Sequence, residues 1–282
     1  MNQSICVCGA GTMGSGIAQA AAQNGIPTLL FDLNAEVLQQ AEKNIRKNLD
    51  ALVQKQKISE EQKTIVLKNL RFTGTINDCV ADVIIEAIIE KPEAKVDLFR
   101  QLSAINTIQT IFASNTSSLS ISQLQQEIVS PERVAGLHFF NPATVMKLVE
   151  VVTGEQTSDA TIHQLVELTR HMNKVAVVCK DAPGFIVNRV ARPYYIEALR
   201  LVEEGVADFS TIDKLMEASG FKMGPFRLMD LIGNDINYAV SCSVYEQLGR
   251  PERLQPSFLQ KEKVQTGKLG RKTGEGYYTY EA

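Results

Sequence analysis

The sequence predicts an α/β protein in which a mostly parallel sheet domain, residues 1–181, precedes an all-helical domain, residues 182–282. Three observations carry this. Ser4-Ile5-Cys6-Val7-Cys8 is an apolar run closed by glycine, Ile17 to Asn24 is helix-like, and Thr28 to Phe31 is a second apolar run. Strand, glycine turn, helix and strand make a parallel βαβ unit. The same alternation continues to Cys179 and stops at Asp181-Ala182-Pro183-Gly184, after which only helical spacing remains.

Taken in order, Ala35 to Gln56 has Leu38, Ala41, Ile45, Leu49 and Leu52 at helical spacing, and Ser59-Glu60-Glu61-Gln62 starts a return helix to Leu70. This hairpin, residues 35–70, is expected to project from the sheet. Val83 to Ala87, Gln109 to Ala113, Arg133 to Phe140, Lys147 to Val152 and Val175 to Cys179 read as strands. Helices are expected from Lys91-Pro92 to Leu102, from Ser120, and from Ser158 to Met172. Beyond Pro183, Phe185 to Glu203 reads as a helix that Pro193 should kink or break. Thr211 to Ala218, Asp230 to Leu248 and Ser257 to Thr266 follow as helices.

Composition excludes several classes of function. A hydrophobic fraction of 44% and a charged fraction of 22% supply a normal core, which a disordered chain lacks. Lys+Arg 29 against Asp+Glu 32 gives a net charge of −3, without the basic excess that nucleic acid requires. The most apolar run, Val83 to Ile89, is interrupted by Glu86, so no membrane span is expected. The first residues carry no cationic leader, which points to the cytoplasm. Five scattered cysteines suit reduced core positions. Cys6 and Cys8 are expected on opposite faces of the first strand, a poor chelate, and no metal site is predicted.

Gly9-x-Gly11-x-x-Gly14 has the spacing of a dinucleotide loop. The first glycine turns the chain, the second admits a pyrophosphate, and the third lets helix pack on strand. The helix N-terminus beginning at Thr12 and Met13 offers backbone N–H groups to the phosphates. Asp32 lies eighteen residues beyond Gly14 at the end of the second strand, where a carboxylate accepts ribose hydroxyls and repels a 2′-phosphate. The cofactor expected is NAD rather than NADP.

Of three histidines, His163 and His171 fit a polar helix face, whereas His138 lies in an apolar strand just before Asn141-Pro142. Glu150 lies inside another apolar strand, where an unpaired carboxylate is costly. If the two strands fold back about Ala143-Thr144-Val145, positions whose numbers sum to 288 face each other, and 138 and 150 do. A buried His–Glu pair is an acid–base unit. Ala113-Ser114-Asn115-Thr116-Ser117-Ser118 follows a strand, at the sheet edge where such folds bind ligands, and serves capping or ligand contact.

These motifs, with Glu86-Ala87-Ile88-Ile89-Glu90, Met146-Lys147-Leu148-Val149-Glu150-Val151, Pro183-Gly184-Phe185-Ile186-Val187-Asn188-Arg189 and Gly270-Arg271-Lys272-Thr273-Gly274-Glu275-Gly276, resemble the 3-hydroxyacyl-CoA dehydrogenase family across nearly the whole chain. The resemblance implies a Rossmann-like NAD-binding domain and a helical substrate domain that forms homodimers. It implies NAD-dependent oxidation of an L-3-hydroxyacyl-CoA, 3-hydroxybutyryl-CoA-like, within fatty-acid β-oxidation. By the same resemblance His138 is the base, Glu150 its partner, and Ser117 and Asn188 bind the substrate's acyl oxygens. Asn141 holds nicotinamide and substrate, Glu90, Lys95 and Lys272 contact NAD, and the hairpin's Asn48 and Lys55 meet coenzyme A. Val190 to Tyr195 and Met223 to Asp230 also resemble members that act on 3-hydroxyadipyl-CoA in phenylacetate degradation. A non-catalytic, crystallin-like NAD(H)-binding relative is the alternative of another class, which retention of the His138/Glu150 pair disfavours.

Overall fold

In the computed structural model, which describes residues 3–126 and 128–281, the chain divides after Asp181 into two compact units. The first is built in the order β1 (Ile5–Cys8), α1 (Thr12–Gln23), β2 (Thr28–Phe31), α2 (Ala35–Gln54), α3 (Glu60–Lys68), β3 (Leu70–Thr73), β4 (Val83–Glu86), α4 (Pro92–Ile105), β5 (Ile111–Ser114), α5 (Ile121–Gln125), β6 (Val134–Phe139), β7 (Leu148–Thr153), α6 (Asp159–His171) and β8 (Val175–Lys180). Among the described residues its eight strands form one sheet in the order β3-β2-β1-β4-β5-β6-β7-β8. All neighbours are parallel except β6 and β7. This is the doubly wound arrangement the βαβ alternation predicts.

One face of the sheet packs on α1, α2 and α6. Ile5 and Val7 of β1, Leu30 of β2, Ile85 of β4 and Leu137 of β6 share a core with Ile17, Ile45, Leu49 and Leu165. Each such side chain contributes ~1.5–3 kcal/mol on burial. On the other face Phe99 of α4 meets Phe112 of β5 edge to face, with ring centroids 5.4 Å apart. The hairpin α2–α3 does not stand clear of the sheet. Ala41, Ile45, Leu49 and Val66 join the main core, because its apolar stripe needs a covering partner. Ser59 caps α3 through a reciprocal capping box with Gln62.

The return helix stops at Lys68, and Leu70–Thr73 forms the edge strand β3, whose alternating Leu-Arg-Phe-Thr is separated from the helix by Asn69 alone. Cys6 and Cys8 do not face opposite ways. Side chains two residues apart on a strand share a face, and their sulfurs lie 3.8 Å apart.

The second unit comprises α7 (Val187–Glu203), α8 (Phe209–Ala218), α9 (Pro225–Ile232), α10 (Asn234–Gln247) and α11 (Phe258–Gln265), with isolated bridges at Gly270–Glu275 and Glu275–Thr279. Gly184 and Phe185, at φ 73° and 49°, delay the start of α7 to Val187. Pro193 does not break that helix. The buried Arg192 donates to the carbonyls of Asn188 and Asn237 and to Ser241 Oγ, bracing the turn that lacks a backbone donor. The helix expected over Asp230 to Leu248 is two. Pro225 opens α9, and Gly233, at φ 104°, separates it from α10. Asp230 accepts from Tyr277 N, Tyr278 N, Asn234 Nδ2 and Tyr280 Oη, tying the C-terminal segment to α9.

Candidate active site

The antiparallel pairing of β6 and β7 sets His138 opposite Glu150, the register the sum of 288 predicts. Both side chains lie on the face opposite Leu137 and Val149, and both are buried. His138 Nδ1 is 2.8 Å from Glu150 Oε2, and Nε2 is 3.1 Å from Ser117 Oγ. With Glu150 ionised, Nδ1–H donates to it, which leaves the Nε2 lone pair facing Ser117. The ring of Phe140 packs against the imidazole with centroids 4.6 Å apart. The arrangement can take a proton at Nε2 and hold the resulting charge against a carboxylate.

Ser117 is itself positioned. It follows β5, and its backbone N–H donates to Glu90 Oε1 at 3.0 Å, while Thr116 Oγ1 donates to the same oxygen. Asn115 Oδ1 accepts from Phe139 N at 2.9 Å and ties this loop to β6 beside His138. Sequence reading gave Asn115 and Thr116 no specific role.

Behind this loop lies a pair that sequence reading missed. Glu86, at the end of β4, is 0% exposed and accepts from Lys95 Nζ at 2.6 Å, Ser114 Oγ at 2.6 Å and Ile88 N at 2.7 Å. Lys95, at 1% exposure, also lies 3.0 Å from Glu90 Oε2. Burial pushes the Glu86 carboxyl above its ordinary value despite the opposing pull of Lys95. Burial also works against ionised Glu90, but Lys95, Thr116 and Ser117 outweigh it and hold that carboxyl below its ordinary value. Lys95 is thus enclosed by two carboxylates rather than open to a ligand. The signal for Glu86 was the one used for Glu150, a carboxylate inside an apolar strand.

The glycine turn fits a dinucleotide. Gly9 has φ +104°, and a Cβ there would lie 2.5 Å from Ala87 O. A Cβ at Gly14 would lie 1.7 Å from Gly9 O, so α1 can approach β1 only as glycine. A Cβ at Gly11 would meet nothing within 4 Å, leaving open space before the α1 N-terminus. Gly11 is the N-cap and supplies no side-chain acceptor, so the first-turn N–H groups around Thr12, Met13 and Gly14 suit phosphate oxygens. Asp32 Oδ2 accepts from Ala10 N at 2.8 Å and Oδ1 from Asn34 N at 2.9 Å. The acid is fixed against the loop with lone pairs left for ribose hydroxyls.

Asn141 and Asn48 line one cleft of about 330 Å³ with Ser15, Gly16, Gln19 and Asn44. Asn48 Nδ2 donates to Gln19 Oε1 at 3.3 Å. Lys55 is exposed at the end of α2, outside that cleft's lining. Asn188 and Lys272 belong to the second unit. Asn188 lies in the first turn of α7, and Lys272 Nζ is 2.6 Å from both oxygens of Asp235.

A family model described as the NAD-binding domain of 3-hydroxyacyl-CoA dehydrogenase matches residues 4–182, and one described as its C-terminal domain matches residues 184–280. A 3-hydroxyadipyl-CoA dehydrogenase of Escherichia coli is 48% identical over 99% of this chain, which spans 59% of that relative's length. A probable 3-hydroxybutyryl-CoA dehydrogenase of Deinococcus radiodurans is 41% identical, covering 97% of this chain and 99% of its own. The crystal structure of an (S)-3-hydroxybutyryl-CoA dehydrogenase from Ralstonia eutropha superposes with a TM-score of 0.95 at 36% identity, over the full length of both chains.

Proposed function

Because the chain belongs to the 3-hydroxyacyl-CoA dehydrogenase family of NAD-dependent oxidoreductases, we propose that it oxidises an L-3-hydroxyacyl-CoA reversibly to the 3-ketoacyl-CoA. The observation that carries this reading is His138 held between Glu150 and Ser117, at the same carboxyl edge of the sheet as a glycine turn suited to a dinucleotide. NAD, when bound, supplies the hydride acceptor for C3. His138 Nε2 removes the 3-hydroxyl proton, and Glu150 keeps the Nδ1 proton in place and stabilises the imidazolium. Ser117 Oγ, within reach of Nε2, and Asn188 fix the substrate oxygens and restrict the geometries sampled. Gly9, Gly11, Thr12, Met13, Gly14 and Asp32 hold the dinucleotide. Glu90, Asn141 and Lys272 complete its contacts, and Lys95 acts through Glu90. Asn48 and Lys55 are assigned to coenzyme A.

The substrate assigned is 3-hydroxybutyryl-CoA-like, in β-oxidation chemistry. The second reading, 3-hydroxyadipyl-CoA, is favoured by the name of the relative at 48% identity. NADH oxidation with acetoacetyl-CoA and with 3-oxoadipyl-CoA separates them by kcat/KM, and turnover of neither overturns both. A homodimer through the helical unit is supported by exposed Phe221, Leu231, Ile236 and Phe258. A reducing, cytoplasmic setting is supported by five free cysteines. No described helix is long and apolar enough to cross a membrane.

A further inference from the structure

We propose that Cys6, Cys8 and Cys79 form a binding site for one thiophilic cation of the copper(I) type, independent of the dehydrogenase chemistry. The three side chains are each 0% exposed, and their sulfurs all lie within 4.8 Å of one another. An ion bound ~2.3 Å from each of three sulfurs in one plane holds them about 4 Å apart. The Cys6 and Cys8 sulfurs already stand at 3.8 Å.

The arrangement has two sources. Cys6 and Cys8 are alternate residues of β1, so the pleat aims both at one face, the side opposite the Ile5 and Val7 core. Cys79 ends the short turn Ile76–Asp78 and reaches that face from a loop. Asn106, at the end of α4, fixes the loop. Its side chain donates to Cys79 O at 2.7 Å and accepts from Ala81 N at 3.0 Å. The third sulfur is thereby placed by a side-chain clamp rather than by chance packing. Asp78 and Val80 on either side are exposed, so a local opening of this one loop gives an ion access to the buried sulfurs.

Soft sulfur donors select soft cations, and three sulfurs suit a trigonal ion. Among the described residues no histidine or carboxylate joins the group, whereas structural zinc takes four ligands. Loading forms metal–sulfur bonds, each coordinating thiol releases its proton to solvent, and no atom changes oxidation state. The competing account is that the cysteines are small hydrophobes filling the sheet face. That account requires volume only and predicts no metal retention.

The test uses the full-length, reduced protein under anaerobic conditions, titrated with copper(I) against the chelator bicinchoninate. The expected result is retention of one copper per chain, a rise in thermal midpoint, and X-ray absorption showing about three sulfur scatterers and no nitrogen or oxygen. Cys79→Ser should lower the affinity at least about tenfold, the cost that loss of even a supporting contact carries at metal sites. The Cys179→Ser/Cys242→Ser double variant should bind copper as the parent does. Loss of all copper to bicinchoninate in the parent protein overturns the proposal. So does nitrogen or oxygen ligation, equal affinity in folded Cys79→Ser, or zinc(II) held as tightly. If Cys79→Ser does not fold, retention and sulfur coordination in the parent decide alone.

Discussion

His138 illustrates how one residue acquires a role from its neighbours. A strand histidine is unremarkable until Glu150 meets Nδ1 and Ser117 meets Nε2. General-base assistance is worth roughly a hundred- to ten-thousandfold, so His138→Ala should lose that much kcat while NADH titration by fluorescence gives an unchanged Kd. Loss of NADH binding in that variant would mean a structural role. Glu86 and Lys95 make a second test. Lys95→Met leaves a buried carboxylate without its cation, which costs about 3–5 kcal/mol. The Glu86 carboxyl, already raised by burial, rises further, so the folded variant holds a proton that the unfolded chain releases. The stability this proton confers is present at low pH and is lost as pH rises through the folded value. The depressed Glu90 carboxyl contributes in the parent above the ordinary carboxylate range, and the variant loses that too. Denaturant midpoints should therefore separate more at pH 8 than at pH 5.5; a pH-independent gap would contradict this. Glu150 was legible as a carboxylate in an apolar strand. Glu86 carries the same signal, but its partner Lys95 lies on a helix whose facing no sequence count fixes.

Among the elements, the β1–α1 turn separates packing from binding. Gly14→Ala drives a Cβ against Gly9 O and should destabilise at or above the top of the ~1–3 kcal/mol range for overpacking. Gly11→Ala adds its methyl to open space and, as an N-cap change, should cost under about 1 kcal/mol of stability. It should nevertheless weaken NADH binding by at least about tenfold, or ~1.4 kcal/mol, because the methyl occupies the space before the helix terminus. Calorimetry of both variants with NADH checks this, and unaltered binding by Gly11→Ala would move the pyrophosphate elsewhere. The alternation of strand and helix was readable for β1, β2 and β4 through β8, where apolar runs are bounded by polar turns. It failed at β3, where only Asn69 separates Leu-Arg-Phe-Thr from the preceding helix, and at α9, where Met-Gly-Pro-Phe resembles a turn until Pro225 is placed at the first helical position.

For the whole molecule, the change to purely helical spacing beyond Asp181 was readable, but the internal ties of the helical unit were not. Asp213 and Asp230 are buried acceptors for backbone N–H groups remote in sequence, a role that spacing does not reveal. Light scattering of the full chain at micromolar concentration should return twice 31.1 kDa. A value of 31.1 kDa would remove the dimer. Asp32, locked to Ala10, should make kcat/KM for NAD exceed that for NADP by a large factor, since a 2′-phosphate would face a carboxylate. Equal values would refute its assignment. Whether His138 and Glu150 act as one acid–base pair is decided by measuring kcat for acetoacetyl-CoA reduction together with NADH affinity in Glu150→Gln. The pair predicts kcat lower by about a hundredfold or more with NADH affinity unchanged. An unaltered kcat, or a loss confined to NADH binding, would contradict it.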